Sequence, residues 1–256
     1  MKKIIVLFCI SLMLLSCSNS DNSGGGIGPL IKRETVSTNG GVYTIDYFYN
    51  SNKLDHTVDS NGYTTNYIYQ GNLIINSKRY LSGNLVKEIQ YSYNNSQRCV
   101  NELSLDYQSN AGSKYTYTYN NDNTISFVLY NGDLNAQNNF YYGGKIHLNS
   151  IGDQISFEIY NPGYYSTLIN SVYDYKNSPY KNILGYNKLP LMRYTYSYAL
   201  SETAIDYTNT VAYSVNHAIT YNSLNYAIHD VETVNQYNNG GGSPTVTSAI
   251  LDYTYW

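Results

Sequence analysis

An all-β fold is predicted for this chain: a large antiparallel β-meander of hairpin repeats, curled into a barrel-like or wrapped sheet with a tyrosine-rich inner face. Three observations predict it. The chain holds 33 tyrosines in 256 residues, and many stand two apart, as in Tyr47/Tyr49, Tyr67/Tyr69, Tyr91/Tyr93, Tyr115/Tyr117/Tyr119, Tyr173/Tyr175, Tyr194/Tyr196/Tyr198 and Tyr253/Tyr255. Side chains two apart share one face of a strand but not of a helix. The residues between them are polar or charged: Lys114, Thr116 and Thr118; Arg193, Thr195 and Ser197; Glu88, Gln90 and Ser92. Those faces belong in water, so the tyrosine faces turn inward. Finally, the tyrosine pairs run into Asn-, Asp- and Gly-rich segments, residues that tolerate the positive φ of tight hairpin turns.

The chain opens with an address. Met1-Lys2-Lys3 is a short positive start, and Ile4 to Leu15 is an apolar run. A dozen residues matches a signal-peptide core and is too short for an ordinary spanning helix. Leu14-Leu15-Ser16-Cys17 follows. Residues 1–16 are therefore expected to be a signal peptide. Residues 17–29 are read as Cys17 followed by a flexible tether, because Ser18 to Gly28 is polar and glycine-rich and cannot bury a core. Residues 30–256 are read as a single all-β repeat domain.

Within that domain the hairpin units follow in order. Tyr47-Phe48-Tyr49 leads into Asn50 to Leu54, Tyr67-Ile68-Tyr69 into Gln70-Gly71-Asn72-Leu73, and Tyr91-Ser92-Tyr93 into Asn94 to Gln97. Tyr117-Thr118-Tyr119 leads into Asn120 to Asn123, and Tyr141-Tyr142 into Gly143-Gly144-Lys145-Ile146 as a fifth turn. Successive units start 20, 24, 26 and 24 residues apart. That spacing fits two strands of roughly 8–10 residues per unit. Tyr80 to Leu85 supplies a further turn. Beyond residue 147 the pattern loosens. Ile155 to Tyr160 and Arg193 to Tyr198 still alternate as strands, Asn177 to Asn187 reads as a loop or one short helical turn, and Thr245 to Trp256 as a last strand.

Composition narrows the function. Fifteen basic residues against 18 acidic give a net charge of −3, with no basic run. No nucleic-acid partner is expected from that balance. Cys99 is the only cysteine past Cys17, so it is read as a small buried residue near a strand end. His56, His147, His217 and His229 lie far apart, without metal-ligand spacing, and are read as surface or sheet-filling residues. Asp122 is read as a turn residue. The carboxylate pairs Asp46/Asp55 and Asp106/Glu102 carry no spacing that favours a hydrolase. No catalytic, cofactor-binding or metal site is expected, and the chain is read as not an enzyme.

Leu14-Leu15-Ser16-Cys17 resembles the lipobox of bacterial lipoproteins, which implies lipidation of Cys17 and a membrane partner through the acyl chains. Tyr-x-Tyr-Asn-x-x-x-Leu/Ile, over about residues 43–146, resembles the YD repeat of Rhs-type proteins in degenerate form, with Asn50, Gln70, Asn94 and Asn120 in place of the aspartate. Together with Asp174 to Ile183, the whole resembles an uncharacterised family of Bacteroidota lipoproteins with a porin-like β fold and no assigned catalytic residues. The resemblance implies a cell-envelope protein, lipid-anchored to the outer membrane in its periplasmic or surface leaflet. A spanning barrel is not expected, since polar residues fill the faces opposite the tyrosines. The expected role is a non-enzymatic scaffold or interaction module, with another envelope protein or a polysaccharide as partner; the alternative is a surface glycan-binding lipoprotein.

Overall fold

The computed structural model describes residues 28–161, 164–191, 196–206, 208, 210–237 and 243–256. The expected signal peptide, Cys17 and nearly all of the tether lie outside the described residues. Sixteen strands follow one another: β1 Ile31–Thr38, β2 Gly41–Asn50, β3 Lys53–Asp59, β4 Tyr63–Gln70, β5 Leu73–Leu81, β6 Asn84–Tyr93, β7 Cys99–Asp106 and β8 Ala111–Tyr119. Then come β9 Thr124–Gly132, β10 Asn139–Leu148, β11 Gln154–Asn161, β12 Tyr164–Asn177, β13 Ser197–Ile205, β14 Val211–Tyr221, β15 Ala227–Gln236 and β16 Thr245–Tyr255. Each pairs antiparallel with the next, and β1 pairs with β16, so the predicted meander closes into a barrel. Closure removes the exposed sheet edges that an open meander would carry.

Tight turns make this topology possible, and they share a chemistry. A side-chain oxygen at the first turn position accepts backbone N–H groups further on. Asn94 accepts from Ser96 and Arg98. Asn149 accepts from Ile151 and Asp153, Asn222 from Leu224 and Tyr226, and Asp59 from Asn61 and Tyr63. The turn closes on a left-handed residue: Gln97 at φ 56°, Gly152 at 99°, Asn225 at 61° and Gly62 at 83°. Asp122 does the same for Thr124, as expected of a turn residue.

The tyrosines do line the inside. Tyr47, Tyr91, Tyr117, Tyr198 and Tyr253 are buried, and Tyr49, Tyr67, Tyr69, Tyr93, Tyr115 and Tyr119 pack against them. Their hydroxyls serve a recurring defect in the ladder. At the end of the barrel that carries both chain termini, the second strand of several hairpins starts with a bulge. Tyr49 faces Leu54 while Phe48 faces His56, leaving Asp55 over. Ile75, Val100, Ile155 and Ile228 are left over in the same way in β5, β7, β11 and β15. A bulge leaves ladder groups unpaired. Tyrosines of the following strand reach back to them: Tyr69 Oη accepts the Leu54 N–H (3.1 Å), Tyr93 donates to the Ile74 carbonyl (2.6 Å), Tyr173 to that of Gln154 (2.7 Å) and Tyr255 to that of Ala227. Cys99 sits at the matching position in β7, fully buried, with its thiol on the Asn101 carbonyl.

Two sequence expectations are corrected. Gly143-Gly144 is not a turn but the middle of β10. A Cβ at Gly144 would lie 2.0 Å from the Glu158 carbonyl oxygen and 2.4 Å from the Phe127 ring, which stacks on Phe157 at 4.9 Å. Glycine is there for close approach. The Tyr173/Tyr175 pair does not share a face either: Tyr175 has φ 61° and is 73% exposed, whereas Tyr173 is buried. The expected strand start at Arg193 falls in residues 192–195, outside the described residues; β13 is described from Ser197.

The β12–β13 connection is the long one, and its described residues include one 3₁₀ turn, Tyr186–Lys188. It folds across the terminal end of the barrel and buries Pro179, Ile183, Tyr186 and Leu189. Leu184 N–H donates to the Asn52 carbonyl, Tyr69 to the Leu184 carbonyl, and Asn182 to the Pro29 carbonyl. This end of the barrel is thus covered by the chain itself.

Candidate functional site

Three regions carry polar chemistry beyond the ladder: the interior carboxylates, the outer wall, and a pocket beneath the β12–β13 connection. Inside, Glu34 on β1 accepts both the Tyr47 and Tyr180 hydroxyls at 3.0 Å. Burial raises the Glu34 pKa against the lowering effect of those hydrogen bonds. Glu102 on β7 is raised for the same reason, opposed by Tyr117, which donates to it at 3.3 Å. Burial also pushes the Cys99 thiol up to about 12, with the Glu102 charge adding to it, so this thiol is inert.

The third interior cluster was not legible in the sequence. His217 on β14 meets Asp230 on β15 through Nδ1 at 2.7 Å, and Tyr198 donates to the same carboxylate oxygen at 3.1 Å while its hydroxyl meets that of Tyr253 at 2.7 Å. Asp230 is fully buried, and the His217 side chain is 3% exposed. Burial works against the imidazolium, yet the hydrogen bond and charge of Asp230, helped by Glu232 and Glu202, leave the His217 pKa raised. The pairing spans 13 residues of sequence, and only the β14–β15 register brings the two together.

The other histidines are on the outer wall. His56 stacks on Phe48 at 4.4 Å, His147 meets Glu158 at 2.7 Å, and His229 meets Asp252 at 2.7 Å. Arg33 grips Asp46 with two hydrogen bonds of 2.6 and 2.8 Å. Asp46 therefore pairs with a cation across the β1–β2 hairpin rather than with Asp55. Lys78 lies 3.7 Å from Glu88, which also accepts from Asn76 and Tyr107. Arg33–Asp46, Lys78–Glu88 and His229–Asp252 lie directly opposite one another in the ladder. A Lys or Arg facing lipid at mid-bilayer costs about 2–4 kcal/mol, whereas a solvated cross-strand pair contributes up to about 1 kcal/mol.

The pocket has a volume of about 250 Å³. It lies at the covered end, between the β6–β7, β8–β9 and β10–β11 turns and the β12–β13 connection. Arg98, Tyr119, Gln154, Asn187, Lys188 and Tyr196 face it. The Arg98 guanidinium sits 5.0 Å from the Tyr119 ring centre. Tyr196 lies against Gly152, where a Cβ would come within 2.9 Å of the ring, and accepts a hydrogen bond from Asn187 at 3.0 Å. Among the described residues, no group of three or more His, Cys, Asp and Glu is placed to hold a metal ion.

No protein-family model matches the sequence, and no curated protein matches it. Solved structures do share its fold. A porin-like protein from Bacteroides uniformis ATCC 8492 superposes with a TM-score of 0.54 at 11% identity, covering 88% of this chain and 96% of that one. A porin-like protein from Bacteroides vulgatus ATCC 8482 gives 0.50 at 12% identity, covering 89% and 99%. At these identities the likeness is one of fold: this chain closes its meander as those porin-like barrels do.

Proposed function

We propose that this protein is a lipid-anchored barrel of the bacterial cell envelope that acts as a non-enzymatic interaction module, moored through Cys17 with its outer wall in water. The observation that carries the reading is the wall itself. Cross-strand pairs such as Arg33–Asp46 and Lys78–Glu88 stand where a spanning barrel presents its apolar band. The lipobox-like Leu14 to Cys17 then supplies the membrane contact that the wall does not. Attachment through several acyl chains is firm, at about 0.8 kcal/mol per buried CH₂. Growth with labelled palmitate tests it: label is expected on the protein and lost in Cys17→Ala, which should appear in the soluble envelope fraction. A Cys17→Ala protein that stays in the membrane, extractable only by detergent, would show that the barrel itself is inserted.

Glycan binding is the second reading. Phe140, Tyr141 and Tyr160 are exposed at the end of the barrel away from the termini, with Tyr130 edge-on to Phe140 at 6.2 Å. Tyr160 stands opposite Gly143, so no side chain fills the space on its β10 side. Exposed rings of this kind offer a face for sugar C–H groups. Loss of binding on a glycan array in Tyr141→Ala and Tyr160→Ala would support this reading; an array on which wild type is silent would remove it.

A further inference from the structure

The pocket beneath the β12–β13 connection carries a charge that nothing among the described residues answers. Arg98 comes from the β6–β7 turn and Lys188 from the 3₁₀ turn, and both face the same space. Among the described residues neither has an ion-pair partner, and no carboxylate lines the pocket. The nearby Asp153 is spent elsewhere: one oxygen accepts the Ser197 N–H at 3.0 Å and the other the Asn149 amide at 3.4 Å. A second observation is independent of charge. Gln154 is 6% exposed, lines the pocket, and its Nε2 has no hydrogen-bond partner. A buried amide donor left unmatched is destabilising, so a partner is expected to arrive from outside.

The rest of the lining narrows that partner. Tyr119 and Tyr196 contribute ring surface, with Tyr196 held on Gly152, and the Asn187 amide and the tyrosine hydroxyls contribute hydrogen-bonding groups at the rim. A guanidinium and an ammonium facing one space favour an anion through charge-assisted hydrogen bonds. Ring faces interleaved with amides favour a body that has both C–H faces and hydroxyls. At about 250 Å³ the pocket lies just below the roughly 300–1,000 Å³ typical of drug-sized ligands. It suits one ring, not a polymer segment.

We propose that this pocket is a binding site for a carboxylated monosaccharide, free or as the terminal residue of an acidic glycan, with Arg98 and Lys188 on the carboxylate and Gln154 on a ring hydroxyl. The proposal rests on the barrel being a binding module and names its ligand class.

Calorimetric titration of the detergent-purified full chain with glucuronate and galacturonate tests it. At least one uronate is expected to bind, with glucose and inorganic phosphate each at least tenfold weaker. Arg98→Ala and Lys188→Ala should each weaken the uronate at least tenfold with unchanged melting temperature, and Gln154→Leu should weaken it as much with a melting temperature of the unliganded protein no lower than that of wild type. Equal binding of phosphate and uronate would overturn the sugar class, and silence toward both uronates would overturn the site. Array binding that survives Arg98→Ala would leave the module reading standing without this pocket. Release of product from a bound glycan would overturn the module reading and keep the pocket.

Discussion

The Tyr93 hydroxyl donates to the Ile74 carbonyl at 2.6 Å, and Ile74 is the residue that faces Tyr69 across the bulge at the start of β5. A tyrosine in one hairpin thus completes the backbone of the hairpin before it. The same link runs from Tyr173 to Gln154 and from Tyr255 to Ala227. In this barrel the repeated tyrosine is a backbone cap as much as a core residue.

Tyr93→Phe should therefore cost more than its single lost oxygen suggests. The ring stays, but the Ile74 carbonyl loses its partner in a buried site, a cost of about 1–3 kcal/mol. The urea midpoint should fall with the slope unchanged. An unaltered midpoint would show that the carbonyl finds water and that the cap is decorative.

Adjacent glycines should respond differently to the same methyl group. Gly144→Ala drives a Cβ to 2.0 Å from backbone and 2.4 Å from Phe127, while Gly143→Ala meets nothing nearer than 3.2 Å. Overpacking costs about 1–3 kcal/mol or more when backbone must yield. Thermal unfolding of the two variants should separate them clearly, with Gly144→Ala the lower; equal melting temperatures would refute the close-approach account of β10.

The buried carboxylates set a direction for pH. Burial raises Glu34 and Glu102 in the folded state, so the folded chain holds more protons than the unfolded one between their raised folded values and the unfolded value of about 4.3. Stability from these groups rises as pH falls through that window. Glu102→Gln, which keeps the carbonyl acceptor for Tyr117, should flatten the profile and raise the melting temperature near pH 7. A wild-type profile that falls steadily from pH 7 to pH 5 would contradict this.

His217 acts in the same direction by another route. Its folded pKa is raised, chiefly by Asp230 acting against burial, so its contribution is complete below the unfolded value of about 6.5 and fades as pH rises through the folded one. His217→Gln should remove that alkaline decline and lower stability at pH 6, with little change at pH 9. The measurement is the melting temperature across that range, and the idea fails if wild type and variant stay parallel.

Over about residues 43–146 the spacing of tyrosines was enough to read most strands, their hairpin pairing and the inward face, because a period of two is a local property; β12, β14 and β15 were not read, as the pattern loosens there. Closure was not readable, since it depends on β1 meeting β16. Gly143-Gly144 reads as a turn because glycine is ambiguous without its neighbours; the Glu158 carbonyl and Phe127 come from other strands. His217 looked like the other three histidines, as its Asp230 partner is defined by register alone. The pocket gathers residues from four connections, none of which is a motif.

The first and last strands are hydrogen-bonded neighbours, and Trp256 N–H reaches the Leu30 carbonyl. Until residue 255 emerges, the growing ribbon has two raw borders and no way to hide them. Such borders are templates for pairing with other chains. Final assembly also waits on the pairing of β1 with β16, the strands furthest apart in sequence, and contacts of that range slow folding. For a protein built this way, the moment of greatest exposure to pairing with other chains is the interval just before the circle is sealed.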